Sequence, residues 1–182
     1  MPVSEGPVGP FPEGADPVEY DKLRRRVFWK MPSGLFAVGS RSDDGRRRNM
    51  MTLNWATQVA SEPKLLGIAV EKEALTHELI GSGRVFTLNL VDREDRAIVR
   101  KFTKPVEVDA SARTLNGFAY HDGHTGGPIL DQAVGYLECE VRHEIDLGSH
   151  TFFVGEVVAA AFQRDEDVAV LRMEDTRMNY GG

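Results

Sequence analysis

Residues 136–147, YLECEVRHEIDL, constrain the fold of this chain more than any other segment. Leu137, Cys139, Val141, Ile145 and Leu147 alternate with Glu138, Glu140, Arg142, Glu144 and Asp146. A period of two belongs to a strand with one face buried and one face wet, so a long antiparallel strand is expected here. Gly148-Ser149 predicts a turn after it, and the apolar run His150 to Phe162 the returning strand. His143 and Cys139 fall on the apolar face. Cys139 reads as a small buried hydrophobe and His143 as a hydrogen-bonded core or interface residue.

The rest of the chain reads as further strands with two or three short helices. Residues 19–30 suit a short helix, and Arg24-Arg25-Arg26 would then share a helix face. Residues 31–41 suit a first strand after Pro32 and Gly34. Asp44-Gly45 signals a hairpin returning through Asn49 to Trp55. A loop closed by Pro63 leads to the buried strand KLLGIAVE, and a helix over Glu73 to Gly81 is stopped by Gly81 and Gly83. RVFTLNLV is a strand with Phe86, Leu88 and Leu90 on one face. Asp92 is the expected N-cap of a helix over Arg93 to Phe102, and residues 103–134, rich in Gly, read as irregular. Several strands, tight hairpins and inserted helices predict an antiparallel barrel.

Residues 1–18 hold Pro at positions 2, 7, 10, 12 and 17 and read as a tail, either disordered or an arm across a partner subunit. Residues 19–182 read as a single domain. The N-terminus lacks a basic region and an apolar region, so it does not resemble a secretory signal. No apolar run reaches membrane-spanning length, so no membrane association is expected. The single Cys excludes a disulfide framework, a thiolate zinc site and an iron–sulfur cluster, and a cytoplasmic location is expected.

The formal net charge of −6 argues against nucleic acid as a partner. Its distribution is uneven. Residues 1–21 carry five acidic and no basic side chains, whereas residues 22–48 carry nine basic against two acidic. Arg46-Arg47-Arg48 at the hairpin tip is either a solvated basic turn or a phosphate clamp. Gly81-Ser82-Gly83 follows a helix and has Phe86 at the third glycine position, so it is not a dinucleotide-binding turn. His121 and His124 lack a third ligand, and no metal is expected. Trp55 is either core or the wall of a pocket for an aromatic ligand.

Three segments in order resemble the flavin reductase family. They are Met31-Pro32-Ser33-Gly34 entering a strand, the block NMMTLNWATQVASEP with LLGIAVEKEALTHELIGSGRVFTLNL, and Leu137 to Val158 with Gly148-Ser149-His150-Thr151. The similarity continues to Asn179-Tyr180-Gly181. It implies a mainly β chain folded as an FMN-binding split β-barrel, antiparallel and Greek-key-like, with short inserted helices. It implies FMN or FAD as cofactor and NAD(P)H as reductant. Thr57, Gln58, Lys72, Thr76 and His77 match the positions that meet the flavin phosphate. Backbone groups of Thr52, Leu53, Asn54 and Trp55 match those holding the isoalloxazine edge, and His150 the residue near the nicotinamide. Two departures stand out: Asn54-Trp55 replaces a common pair of Ser, and Ser149 stands where the family's turn has Asp. The resemblance further implies a homodimer and a flavin-dependent monooxygenase as partner. A non-enzymatic FMN electron carrier similar to flavoredoxin, and a split barrel without flavin, are the competing readings.

Overall fold

The computed structural model describes residues 6–176. Residues 1–5 of the N-terminal segment and the Asn179-Tyr180-Gly181 match lie outside the described residues. The main sheet has seven antiparallel strands in the order β2-β1-β5-β10-β11-β4-β3. These are β1 (Phe36–Arg41), β2 (Arg48–Leu53), β3 (Ala56–Ser61), β4 (Lys64–Glu71), β5 (Val85–Leu90), β10 (Gly135–Asp146) and β11 (His150–Phe162). Strands β2 and β3 lie at opposite edges of the sheet, yet only Asn54-Trp55 separates them in sequence. The sheet must therefore curl until its two edges approach at that dipeptide.

Two hydrophobic cores pack against the sheet, one on each face of β1. One core packs Val38, Leu53, Leu66, Ile68, Val70, Ile80, Phe86 and Phe153 together. A second packs Leu35, Ala37, Met50, Ile98, Val99 and Phe102 with Leu115 and Leu130. Strand β1 supplies both, through Ala37 on one face and Val38 on the other. Helix α2 (Leu75–Gly83) connects β4 to β5 and buries Leu79 and Ile80. Helix α3 (Arg96–Lys101) buries Ile98 and Val99.

Helix α1 (Pro17–Phe28) differs from these in having no buried residue. Asp16 caps it by accepting from the Glu19 N–H at 2.9 Å, and Pro17 opens it, where a missing N–H costs nothing. Described residues of the preceding segment lie along this helix: Phe11 packs edge-on against Tyr20, and Arg24 donates to the Val8 carbonyl.

Several expectations are corrected. Residues 56–61 form an edge strand rather than a loop, turning into β4 at Glu62-Pro63. Helix α2 runs through Gly81 and Gly83 and ends at Arg84, whose φ of 57° is left-handed and whose N–H donates to the Ile80 carbonyl. Asp95, not Asp92, precedes α3; Asp92 instead accepts from the Glu94 N–H. Residues 103–134 contain the short strands β6 (Val108–Asp109), β7 (Thr114–Leu115), β8 (Phe118–Asp122) and β9 (Pro128–Leu130), which form a small second sheet.

Strand β10 is where expected, but its alternation breaks at two bulges. Glu138 is 1% exposed and accepts from the Thr125 hydroxyl and from the backbone N–H groups of His124 and Thr125. Partner β5 ends its pairing at Glu140, so the outer half of β10 leaves the core. His143 is exposed there, and so are Ile145 and Leu147. Cys139 is buried as expected, and burial pushes its thiol pKa up to about 12.

Candidate functional site

Strands alternate their side chains, and this divides the candidate residues between two faces of β3, β4 and β11. Thr151 and Phe153 point into the core, whereas His150 and Phe152 point out. On β4, Ile68 and Val70 point inward while Gly67 and Ala69 face out beneath Phe152. Trp55 stands beside them, pinned by its carbonyl accepting from the Ala69 N–H at 3.0 Å.

This outer face is the floor of a cavity of about 810 Å³ lined by Trp55, Thr57, Ala69 and Phe152. Its roof is the end of α1 with the following turn, Phe28, Trp29 and Met31 to Gly34. An adjoining lobe of about 650 Å³ shares that roof and Asn54, and adds Phe36, Val170 and Arg172. Asn54 lines both lobes. Its residue is 7% exposed, and its Oδ1 is buried with no hydrogen-bond partner among the described residues.

His150 sits at the rim. Its ring lies 4.9 Å from that of Trp55 at an interplanar angle of 54°. The Ser149 hydroxyl is 2.9 Å from His150 Nδ1, which leaves Nε2 as the ring nitrogen without that contact. Gly148, at φ 85°, makes the turn that brings the two together. Lys72 joins the same turn: its N–H donates to the Ser149 carbonyl, and its ammonium pairs with Asp146 at 2.7 Å.

Other candidates lie elsewhere. Thr52 is fully buried and ties β2 to α3, its hydroxyl donating to the Val99 carbonyl. Leu53 belongs to the core beneath the sheet. Thr76 is fully buried and accepts from Asn49 Nδ2. Thr57 and Gln58 are exposed on β3, and the Gln58 amide turns back to the Ala60 carbonyl. The basic hairpin is engaged in ion pairs: Arg46 with Asp44, Arg47 with Glu78 and Arg48 with Asp122. His121 pairs with Asp131 rather than with His124.

His77 meets Thr151 Oγ1 at 2.7 Å and packs on Phe153, on the side of β11 opposite to His150. Burial first, and the Lys72 ammonium second, hold its pKa below the ordinary value. The unfolded chain, with an imidazole pKa near 6.5, then binds a proton that the folded chain refuses. Stability therefore falls as pH drops below about 6.5. The urea midpoint should decline between about pH 7.5 and about pH 5.5, and His77→Gln should flatten that decline. An equal slope in both proteins would show that His77 is not its source.

The roof of the cavity had a signal in the sequence that was assigned no role. Phe28, Trp29 and Met31 are three large apolar residues beside Pro32-Ser33-Gly34, at the C-terminal end of a helix that buries none of its own side chains. Phe152 was hidden by a run in which nearly every residue is apolar, so neither face stands out.

Residues 28–181 match the family model described as flavin reductase like domain. The chain belongs to this family. The ferric-chelate reductase (NAD(P)H) of Archaeoglobus fulgidus is 31% identical over 144 residues, covering 78% of this chain and 83% of that one. The NADH-dependent FAD reductase of Streptomyces globisporus is 30% identical over 156 residues, covering 84% and 82%. The solved NADH:FAD oxidoreductase of Streptomyces globisporus C-1027 superposes with a TM-score of 0.73 at 27% identity, covering 89% and 92%. Its complex with NAD and FAD fragments gives 0.72 at 28%, covering 88% and 92%. The reductase component of a 4-nitrophenol monooxygenase of Rhodococcus opacus is 28% identical over 109 residues, covering 60% and 56%. Among the described residues, no helix is long and apolar enough to cross a membrane.

A flavin suits the residues present. A flat tricyclic ring needs apolar walls with a few polar groups at its edge, and aromatic side chains with an unpartnered Asn54 amide supply both.

Proposed function

We propose that this protein is an NAD(P)H-dependent flavin reductase that binds FMN or FAD between the α1 roof and the outer face of β3, β4 and β11. The observation that carries this reading is the cavity of about 810 Å³, with aromatic walls, an unpartnered buried amide and His150 at its rim. A flavin, when bound, supplies the ring that accepts a hydride from the nicotinamide. The chain's own residues position and shield. Phe28, Trp29, Trp55 and Phe152 exclude water from the ring. His150, oriented by Ser149, offers Nε2 to the carboxamide or a phosphate of the nicotinamide nucleotide. Lys72 and Thr57 offer donors to the flavin phosphate. No protein nucleophile is needed.

The edges of the curled sheet meet as a split barrel in this reading, and two copies pair so that each site lies near the interface. Reduced flavin passes to a flavin-dependent monooxygenase, as the name of the Rhodococcus relative suggests, and the reaction runs in the cytoplasm. The packing of Trp55 on His150 favours a second reading, an FMN-binding electron carrier, because an imidazole already engaged by an aromatic ring is less free to meet a nicotinamide. Steady-state oxidation of NADH and NADPH with added FMN or FAD separates the two. Flavin-dependent turnover supports the reductase. Flavin bound without turnover selects the carrier, and neither binding nor turnover rejects both.

The floor makes its own prediction. A Cβ on Gly67 would lie 2.2 Å from the Phe152 ring, so Gly67→Ala must displace that ring. Overpacking of this kind costs about 1–3 kcal/mol, enough to weaken flavin binding about tenfold. Isothermal titration with FMN would read this, with circular dichroism as the control for folding. Unchanged affinity would show that Phe152 is not part of the floor.

A further inference from the structure

Asn54 is a buried polar residue whose amide oxygen is left without a partner among the described residues. It sits at the single break between the two edge strands, and it is more than nine-tenths buried. Its Nδ2 donates no hydrogen bond among the described residues either. A buried amide in a folded chain is ordinarily satisfied. An unsatisfied one lining two lobes of a ligand cavity points to a partner supplied by the ligand.

The amide has a second property. Neither end is held by the described residues, so turning it by half a rotation about its last bond breaks no hydrogen bond with them. It can present a carbonyl oxygen or an NH₂ group to the same point in the cavity.

We propose that the Asn54 side chain contacts the central-ring nitrogen of the isoalloxazine and follows its redox state by rotating. This deepens the reductase reading above and rests on it. In oxidised flavin that nitrogen carries a lone pair and accepts a hydrogen bond, so the amide donates through Nδ2. Hydride transfer from the reduced nicotinamide brings one proton and two electrons to that nitrogen and leaves the nicotinamide oxidised. The hydride's electron pair forms an N–H bond while the C=N π pair moves into the ring, the nitrogen becomes a donor, and the amide turns to accept through Oδ1. A backbone group, with its direction fixed by the sheet, can satisfy only one of the two states.

The test uses FMN labelled with ¹⁵N, bound to the full chain, with the ring nitrogens observed by NMR before and after anaerobic reduction by dithionite. Asn54→Leu, of similar volume and unable to hydrogen-bond, should move the central-ring nitrogen resonance in both redox states and leave the other ring nitrogens nearly in place. It should weaken binding of both redox states about tenfold. Asn54→Ser, whose hydroxyl both donates and accepts, should restore much of the resonance position. The melting temperature of the flavin-free Asn54→Leu protein should stay level or rise, since no hydrogen bond is lost.

A change in only one redox state would overturn the rotating contact. A resonance unmoved in both states would place Asn54 away from that nitrogen and overturn it too. A fall in the melting temperature of the flavin-free protein would assign Asn54 a structural role instead. Failure of the unaltered protein to bind FMN or FAD would remove the reductase reading itself, which is a distinguishable result.

Discussion

His150→Ala is expected to lower kcat/KM for the nicotinamide nucleotide about tenfold to a hundredfold while leaving flavin affinity nearly unchanged. The magnitude is that of a hydrogen bond to a charged or strongly polar group, about 1.5–3 kcal/mol, converted to rate. The selectivity follows from position. His150 stands at the rim of the cavity rather than among the residues that line it. Ser149 engages Nδ1 and so orients the ring for a contact through Nε2. Stopped-flow reduction of bound flavin at varied NADH and NADPH would measure the effect, and His150→Gln should recover part of it. A variant that loses flavin instead would assign His150 to the flavin.

Phe86→Ala is expected to destabilise the protein by about 3–5 kcal/mol, a large share of the stability of a domain this size. Phe86 is fully buried on β5, between β1 and β10. Its ring fills the space left by Gly155, where a Cβ would come within 2.7 Å of it. It shares a core with Leu53, Ile68, Val70 and Phe153, which underlie the floor of the cavity. The cavity left behind could collapse only by moving that floor, so FMN binding should weaken as well. Urea unfolding followed by tryptophan fluorescence would read the loss from the shifted midpoint. A cost below about 1 kcal/mol would mean that the ring is not central to the core.

The fold was legible where local pattern and tertiary partner agree. β4 is a nearly continuous apolar run and has neighbours on both sides. β11 likewise spans the residues expected of it. Legibility failed where the partner decides. The alternation of β10 is clear in the sequence, but β5 ends before its outer half, so Ile145 and Leu147 face outward. Loop 123–127 folds over Glu138, so a carboxylate expected in water is buried and satisfied. β3 is polar and mostly exposed because it is an edge strand, and a polar run closed by Pro is hard to tell from a loop.

The candidate site divides along the same line. Asn54, Trp55 and Thr57 line the cavity, and His150 packs against Trp55 beside it. Helix α2 instead turns Thr76 toward β2 and His77 toward the core side of β11. Helical periodicity alone does not say which face meets the ligand. The roof from Phe28 to Gly34 was invisible as a functional element because its apolar residues read equally well as the buried stripe of a helix.

The central claim is that this cavity brings flavin and nicotinamide together. It is tested most directly by mixing the flavin-loaded protein with NADH, and separately with NADPH, under anaerobic conditions and following the visible absorbance of the flavin. The account predicts bleaching at a rate that saturates with the nicotinamide nucleotide and falls in the His150→Ala variant. Bleaching no faster than that of free flavin with the same nucleotide would contradict it.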